Sequence, residues 1–250
     1  MAKRAALVTG ASYGVGAATA LALARAGCDV AITATRVDNL RGTLATLAET
    51  GARVVPLALD LRAPDGVVRA FGEALAGLGR LDVLVNNAAV NLRKLAVDVT
   101  ADDWDTVLDT NARGTFLLCQ QAGRHWIAQN HPGCIVNIAS AHGLVGAAER
   151  STYGISKAAI IHMTKMLAVE WGEHGIRVNA VAPGRMQTDS PSRAEKGADA
   201  AYIGAMLKRI PLHRLATAEE VAAAVAYLAS PEAAAITGQT IILDGGLTAA

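Results

Sequence analysis

The chain has 250 residues, 52% of them hydrophobic, and a formal net charge of +1. This length and composition suit a single α/β domain with a substantial core. The near-neutral charge and the aromatic content of only 4% argue against a nucleic-acid partner and against binding to an anionic membrane surface, since both call for basic patches.

The sequence indicates neither a secretory signal nor a membrane span. The apolar run after Lys3 and Arg4 ends at Thr9, which is too early for a signal-peptide core. No charge-free apolar run approaches the roughly 18 residues needed to cross a bilayer.

The cysteines and histidines predict neither disulfides nor a metal site. Cys28, Cys119 and Cys134 are far apart and form no C-x-x-C pair or disulfide framework. Cys28 and Cys134 lie in or beside strand-like runs, which is typical of small buried hydrophobes. The six histidines show no metal-binding spacing. We therefore expect a reduced, cytoplasmic protein.

Strand-like apolar runs alternate with helical patterns along the whole chain. Strands are predicted at Ala5–Thr9, Asp29–Ala34, Arg53–Leu59, Val83–Asn86, Cys134–Ala139, Arg177–Val181 and Thr240–Leu243. Helices are predicted at Gly14–Ala26, Asp38–Thr50, Pro64–Leu78, Arg113–Gln129, Thr152–Glu173 and Ala218–Ala229. The alternation predicts one domain over residues 1–250, with a parallel sheet of about seven strands and helices on both faces. Right-handed crossovers make such a sheet doubly wound, with a ligand crevice at its switch point.

A glycine-rich turn, Gly10-Ala11-Ser12-Tyr13-Gly14-Val15-Gly16, follows the first predicted strand and leads into a helix. This arrangement directs backbone N–H groups and the positive end of a helix dipole at a phosphate. The spacing is G-x-x-x-G-x-G, with glycines for tight turning, close approach of a pyrophosphate and close helix–sheet packing. The residues of the turn predicted to bind a dinucleotide are Gly10, Ser12, Tyr13, Gly14, Val15 and Gly16.

Tyr153 and Lys157 are four residues apart in a predicted helix, so their side chains share one face. An ammonium about 4 Å from a phenolate, at an effective dielectric of about 20, contributes roughly 4 kcal/mol. That energy lowers a tyrosine pKa by up to about 3 units, and such a tyrosine can donate or accept a proton near neutrality. Ser140 follows the strand Cys134–Ala139 at the carboxyl edge of the sheet, where open α/β sheets bind ligands.

The chain resembles the short-chain dehydrogenase/reductase family over nearly its whole length. The motifs that carry the resemblance, in the family's order, are Thr9–Gly16, Asp60, Asn86-Asn87-Ala88-Ala89, Asn111, Ser140, Tyr153 with Lys157, Asn179 and Pro183-Gly184. Ala89 departs from the pattern, because the family usually has glycine there. The resemblance implies a Rossmann-type fold, a nicotinamide dinucleotide cofactor and the interconversion of a ketone and a secondary alcohol.

The resemblance also implies roles for single residues. Tyr153 is the implied general acid and base, Lys157 lowers its pKa and binds the nicotinamide ribose, and Ser140 bonds to the substrate oxygen. Asn111 is implied to mark a helix distortion and to hold a water of the proton relay. Asp60 is implied to accept from the adenine amino group, with a turn-forming aspartate as the alternative. The remaining implied cofactor contacts are Leu61, Asn87, Ala88, Ala89, Pro183, Gly184, Met186 and Thr188.

The end of the second strand bears on the choice of cofactor. NAD sites place an acidic side chain there, and NADP sites replace it with arginine. The strand ends Ala34-Thr35-Arg36, so Arg36 can hold a 2′-phosphate through a charge-assisted fork and Thr35 can add a hydroxyl bond. Asp38 is predicted to be the N-cap of the next helix. The sequence favours NADP(H), with NAD(H) as the alternative.

The substrate cannot be identified from the sequence. The irregular stretch from Gly184 to Leu215 is typical of a functional lid, and the resemblance puts a substrate loop at about 185–215. His142 either faces the substrate pocket or is an ordinary loop histidine. A homotetramer is implied by the resemblance, and closed symmetry would bury surplus apolar residues of the predicted helices. Those residues are Ile160, Ile161, Met163 and Met166.

Several functions stay open beside an NADP(H)-dependent reductase of small carbonyl compounds. They are an NAD-dependent sugar or polyol dehydrogenase, a 3-oxoacyl-carrier-protein reductase and a non-catalytic cofactor-binding protein. A reductase that binds an acidic carrier needs basic residues at the rim, whereas Gln129-Asn130 and Trp171-Gly172-Glu173 offer little positive charge. A hydrolase is excluded, because a G-x-S-x-G elbow at Ser140 needs glycines where Ile138 and His142 stand.

Overall fold

The computed structural model describes residues 3–186, 204 and 207–249. Its centre is a seven-stranded sheet in the order β3-β2-β1-β4-β5-β6-β7, and every pair of neighbouring strands is parallel. The strands are β1 Ala5–Val8, β2 Asp29–Ala34, β3 Val54–Ala58, β4 Val83–Asn86, β5 Gly133–Ile138, β6 Ile176–Pro183 and β7 Thr240–Leu243. The predicted doubly wound parallel sheet is confirmed, with β6 beginning one residue earlier and ending two residues later than expected.

Helices connect the strands. The α-helices are α1 Gly14–Arg25, α2 Arg41–Ala48, α3 Pro64–Leu78, α4 Ala101–Leu108, α5 Thr115–Ala128, α6 Ser151–Trp171 and α7 Ala218–Ala229. Two of the predictions need correction. The helix expected at Asp38–Thr50 is a 3₁₀ turn, Val37–Leu40, followed by α2. Helix α4 was not predicted, although Thr100 and Asp103 form a capping box at its start, which is a sequence-level signal for a helix N-terminus.

Alternate residues of the strands face two separate cores. Along β1, Ala6 and Val8 pack in the core beneath α1, α2 and α7, whereas Ala5 and Leu7 pack in the core beneath α3, α5 and α6. The period of two places successive side chains on opposite faces. Each fully buried large side chain, such as Leu7, contributes roughly 1.5–3 kcal/mol. In the described part of the chain, no helix is both long and apolar enough to cross a membrane.

Candidate active site

The strands after β1 are added on one side of the sheet, in the order β2 and β3, and those after β4 on the other side, in the order β5, β6 and β7. The boundary between β1 and β4 is therefore the switch point of the sheet, where a ligand crevice forms. Gly10 lies two residues past β1, with φ of +64°. A Cβ on Gly10 would lie 2.7 Å from the Cα of Ala88, so only glycine fits. A Cβ on Gly16 would lie 2.2 Å from the carbonyl oxygen of Gly10. Both glycines therefore serve close packing within the protein.

Asn87 holds the glycine turn to the end of β4. Its Nδ2 donates to the carbonyl oxygens of Thr9 at 3.0 Å and of Gly10 at 2.9 Å. The Thr9 hydroxyl accepts from the backbone N–H groups of Asn87 and Ala88, each at 3.0 Å. The Thr43 hydroxyl donates to the carbonyl oxygen of Ala11 at 2.7 Å, a contact that the sequence analysis did not predict. These bonds fix the shape of the turn.

The first turn of α1 presents its backbone N–H groups at the crevice. Tyr13 occupies the N-cap position in an extended conformation, and within the described residues no side chain caps this helix. The first N–H groups of an α-helix have no intrahelical acceptor. Together with the dipole, the N–H groups of Gly14, Val15 and Gly16 suit an anionic ligand. Ser12 precedes them and is partly buried.

Lys157 and Tyr153 lie side by side on α6. The ammonium Nζ of Lys157 is 5.7 Å from the centroid of the Tyr153 ring and donates to the carbonyl oxygen of Ile138 at 2.7 Å. Lys157 is only 4% exposed, and this burial lowers the pKa of its ammonium to about 8. An ammonium has three donors, so the Ile138 bond leaves others for a ligand.

Ser140 lies two residues past the end of β5 and is buried. Its Oγ accepts from the backbone N–H of His142 at 3.2 Å and caps the short 3₁₀ turn Ala141–Gly143. The turn-capping role and the predicted substrate role are compatible, because the bond to His142 uses a lone pair of the oxygen and leaves the hydroxyl proton to donate.

Two glycines that the sequence analysis did not single out bring this turn against α6. A Cβ on Gly143 would lie 2.7 Å from the carbonyl carbon of Lys157, and a Cβ on Gly154 would lie 2.8 Å from the carbonyl oxygen of His142. The backbone of the serine turn therefore touches the backbone of the tyrosine helix. A glycine inside a helical pattern was the available signal, since it often has a packing reason.

This contact gives a testable expectation. Gly154→Ala should lower the free energy of unfolding by roughly 1–3 kcal/mol, as overpacking does, and should reduce kcat by moving Ser140 away from Tyr153. Gly146→Ala is the matched control, because a Cβ there meets nothing within 4 Å. Chemical denaturation and steady-state kinetics of both variants test it. Equal behaviour of the two would disprove the close contact.

Asn111 lies in a π-helical segment, Asp109–Gly114, between α4 and α5. The helix predicted from Arg113 therefore begins with a distorted turn. The Asn111 side chain accepts from the N–H of Val90 at 2.8 Å and donates to its carbonyl oxygen at 2.9 Å. It also donates to the Ser156 hydroxyl at 3.0 Å. Asn111 thus joins the chain after β4 to the helix that carries Tyr153 and Lys157.

Buried polar side chains hold α6 against the central strands. Asn86 donates to Asn137 at 2.8 Å, and Asn137 donates to Thr164 at 3.0 Å. The Thr164 hydroxyl donates to the carbonyl of Ile160 at 2.9 Å. Leaving one buried member unsatisfied costs roughly 1–3 kcal/mol. Asn86 also contacts the Cys119 thiol at 3.1 Å, whose pKa burial raises to about 12.

The predicted adenine-binding residues lie after β3. The Asp60 carboxylate pairs with Arg62 at 2.9 Å, and hydrogen bonds from the Arg62 side chain lower the pKa of Asp60. Asp60 is thus engaged in a turn with Arg62, and a carboxylate still has further lone-pair sites for an amine. Leu61 is only 4% exposed, so its side chain belongs to the core.

The end of β6 lies beside the end of β7. A Cβ on Gly184 would lie 2.7 Å from the Cβ of Asp244, so Pro183-Gly184 is tightly packed. Met186 forms an isolated bridge with Ala216. Asn179 holds the approach to β7 through bonds to the carbonyl of Ile236 at 2.8 Å and to the N–H of Gln239 at 3.0 Å. Thr188 and much of the predicted substrate loop lie outside the described residues.

Thr35 and Arg36 follow β2, and both are exposed. Arg36 is the N-cap of the turn Val37–Leu40 but makes no side-chain capping bond. Asp38 is not the predicted N-cap: it lies inside this turn, and its carboxylate pairs with Arg41 at 2.8 Å.

The cysteines are not paired in disulfides, and the arrangement of the ionisable side chains decides whether a metal ion can bind. All three cysteines are buried free thiols. Among the residues that the structure describes, no three His, Cys, Asp or Glu side chains are grouped so as to hold a metal ion.

The chain is similar to known proteins over nearly its whole length. The family described as enoyl-(acyl carrier protein) reductase matches residues 10–248. The 2-dehydro-3-deoxy-D-gluconate 5-dehydrogenase of Escherichia coli (strain K12) is 36% identical over 96% of this chain and 94% of its own. A short-chain dehydrogenase/reductase of Armillaria gallica is 39% identical over 98% of this chain and 95% of its own.

Solved structures give the same result. A protein of Agrobacterium tumefaciens, solved with bound NADP, is 36% identical and superposes with a TM-score of 0.90 over 99% of this chain and 97% of its own. The whole fold is therefore shared with that protein. The chain belongs to the short-chain dehydrogenase/reductase family of oxidoreductases.

Proposed function

We propose that the protein interconverts a ketone and a secondary alcohol with NADP(H), using Tyr153 as the general acid and base. The observation that carries the proposal is the buried Lys157 ammonium 5.7 Å from the centre of the Tyr153 ring. A lysine is rarely buried without a partner or a function. Here its positive charge favours the phenolate form of the adjacent tyrosine.

The crevice suits a nicotinamide dinucleotide. The first turn of α1 would hold the pyrophosphate, because its N–H groups face the switch point. Lys157 would bind the nicotinamide ribose with the protons that the Ile138 bond leaves. Asp60 would face the adenine. The part of the cofactor between the adenine and the nicotinamide would be lined by Asn87, Ala88, Ala89, Gly184 and Met186. When bound, the cofactor supplies or accepts the hydride, and the protein provides position and electrostatics.

The proton steps belong to the side chains. In the direction of reduction, the Tyr153 hydroxyl donates its proton to the carbonyl oxygen as that oxygen becomes negative. The Ser140 hydroxyl donates a hydrogen bond to the same oxygen, which stabilises the developing charge. The Lys157 ammonium stabilises the tyrosinate that remains. Asn111, bonded to Val90 and Ser156, supports the relay that returns a proton from water. In oxidation Tyr153 accepts the proton instead.

The substrate is proposed to be a small free carbonyl or alcohol compound, bound by a loop at about 185–215 of a single catalytic domain in the cytoplasm. Gln129, Asn130 and Glu173 are exposed and bring no positive charge, but they precede β5 and β6 and so lie at the edge of the sheet opposite Ser140, not at the rim of the crevice. The support for a sugar or polyol over an acyl group on an acidic carrier protein is the similarity to a 2-dehydro-3-deoxy-D-gluconate 5-dehydrogenase. An activity screen tests this choice. Ketones, sugars, polyols and a carrier-bound 3-oxoacyl substrate are compared with both cofactors by the absorbance of reduced nicotinamide. Turnover of the carrier-bound substrate alone would refute the choice, and no turnover at all would favour a non-catalytic protein.

A homotetramer is part of the proposal, but its predicted surface needs correction. Ile160 and Ile161 are 2% and 9% exposed, because they pack in a core against β6. The exposed apolar side chains of α6 are Ile155, Met166 and Val169. These residues, rather than the buried isoleucines, are the candidates for a symmetric interface.

Light scattering tests the assembly. The wild type should have the mass of a tetramer, and Val169→Asp should lower that mass because it puts a charge into the interface. Val169 is 83% exposed in the monomer, so the substitution should leave folding intact. Val68→Asp on α3, where Val68 is 53% exposed, is the control. A wild-type monomer at micromolar concentration would contradict the proposal.

The buried lysine predicts a pH-dependent stability. Its pKa is about 8 in the folded protein against 10.5 in an exposed lysine, so between these values the unfolded chain binds more protons. Stability therefore rises with pH across this window. Lys157→Met should remove about 3 kcal/mol of that rise. Denaturant unfolding without cofactor measures it, with exposed Lys165→Met as control. The same slope in wild type and Lys157→Met would contradict the burial.

A further inference from the structure

Thr43 is a buried polar residue on the apolar face of α2. Leu40 and Leu47, which lie three residues before it and four residues after it, are fully buried in the core beneath α1, α2 and α7. Thr43 itself is only 5% exposed. A hydroxyl at such a position costs free energy unless it is hydrogen-bonded, whereas valine has nearly the same shape without that cost. The hydroxyl bond of Thr43 is therefore the feature that distinguishes this position from an ordinary core position.

That bond joins α2 to the glycine-rich turn after β1. The Thr43 Oγ1 donates to the carbonyl oxygen of Ala11 at 2.7 Å, and the carbonyl oxygen of Ser12 lies 3.4 Å from the same Oγ1. The N–H of Ala11 donates to the carbonyl oxygen of Thr33 in β2 at 2.8 Å. The two peptide groups that flank Ala11 are thus both held, one by the sheet and the other by α2.

The direction of these carbonyl groups fixes the direction of the N–H groups that follow them. In the described part of the chain every peptide bond is trans, and in a planar trans peptide the C=O and N–H groups point in opposite directions. Because the carbonyl groups of Ala11 and Ser12 point toward Thr43, the N–H groups of Ser12 and Tyr13 point away from α2. Among the described residues, neither N–H group donates to a backbone carbonyl oxygen. Successive N–H groups of a turn form a concave site for an anion.

We infer that Thr43 is a positioning residue for the dinucleotide. By holding two carbonyl groups toward α2, its hydroxyl directs the N–H groups of Ser12 and Tyr13 to the crevice. There they join the N–H groups of the first turn of α1 in binding the phosphates of the cofactor. Thr43 acts through the turn and not by contact with the ligand. This inference rests on the proposed function, since it assumes that the cofactor phosphates lie against the glycine-rich turn.

A substitution that removes only the hydroxyl tests the inference. Thr43→Val should raise the Kd of NADPH at least about fivefold, because one net hydrogen bond changes an equilibrium by roughly that factor. The Kd of NADH should rise as well, since the two cofactors share the pyrophosphate. Thr43→Ser, which restores the hydroxyl, should recover most of the affinity. The fluorescence of bound reduced nicotinamide measures each Kd, and denaturant unfolding without cofactor measures the stability of each variant.

The matched control is Thr46→Val on the same helix. Thr46 is exposed, and its hydroxyl donates to the carbonyl oxygen of Gly42 at 3.2 Å, so the Kd values of both cofactors should stay as in the wild type. If Thr43→Val does not fold, Thr43→Ser and Thr43→Ala form a second pair that differs by the hydroxyl alone. The alanine variant should then bind NADPH at least about fivefold more weakly than the serine variant.

Other outcomes overturn the inference. An unchanged Kd in a folded Thr43→Val variant, with or without a loss of stability, would mean that the hydroxyl only stabilises the fold. Equal increases of Kd in Thr43→Val and Thr43→Ser would assign the effect to packing, and an increase for NADPH alone would assign it to the region of Arg36. These results leave the proposed function intact. That function fails separately if the wild type binds neither cofactor.

Discussion

Tyr153→Phe should reduce kcat at least about 100-fold, because general acid–base catalysis contributes that much or more. The substitution removes one hydroxyl and keeps the ring, so the edge contact with His142 and the 5.7 Å approach of Lys157 remain possible. Cofactor affinity and the unfolding midpoint should therefore stay close to the wild-type values. Steady-state kinetics on the best substrate of the screen, with cofactor titration by fluorescence, measure both quantities.

The matched control for this variant is Tyr227→Phe. Tyr227 is 46% exposed and lies on α7, which packs with α1, whereas Tyr153 is on α6. Its loss of a hydroxyl should leave kcat unchanged. Retention of more than about a tenth of wild-type kcat by Tyr153→Phe would sink the assignment of Tyr153, since no general acid–base role is that small. If Tyr153→Phe lost cofactor binding together with activity, the main role of the tyrosine would instead be to bind the cofactor.

The sheet was predictable because each of its strands is a short apolar run ended by a turn residue. Strands buried on both faces need continuous apolar sequence, and runs such as Ala5–Val8 have it. Helix α4 was missed because it is only eight residues long and contains three aspartates, although Trp104, Val107 and Leu108 have the i, i+3, i+4 spacing of an amphipathic helix. Its capping box indicates a helix N-terminus, but this signal is independent of the pattern of hydrophobic residues on which the prediction was based.

Parts of the site depend on contacts between residues that are distant in sequence, and such contacts could not be predicted from the sequence alone. Nothing near Asn111 indicates that its amide bonds to the backbone of Val90, 21 residues away. The additional apolar residues of α6 were equally ambiguous, because the sequence alone does not show whether Ile160 faces the sheet or a partner subunit. In the structure it faces the sheet. Gly143 and Gly154 acquire their importance only when the serine turn meets α6.

The second large effect concerns the cofactor, where the wild type should prefer NADPH over NADH at least about tenfold in kcat/KM. Arg36 follows β2 and is exposed, and within the described part of the chain its guanidinium makes no ion pair. A free guanidinium suits a bidentate bond to a 2′-phosphate. The nearest carboxylate in sequence, Asp38, lies in the turn Val37–Leu40 and pairs with Arg41 at 2.8 Å.

Thr35→Asp combined with Arg36→Ile should reverse the preference to favour NADH at least about tenfold. The arginine that pairs with the phosphate is lost, and the new carboxylate repels the 2′-phosphate while accepting bonds from the ribose hydroxyls of NADH. Both positions are exposed, so stability should change little. Arg69→Ile on α3, also an exposed arginine, is the control and should leave the preference as in the wild type. Equal kcat/KM for the two cofactors in the wild type, or a preference for NADH, would refute the assignment of Arg36, because a phosphate-binding arginine must discriminate.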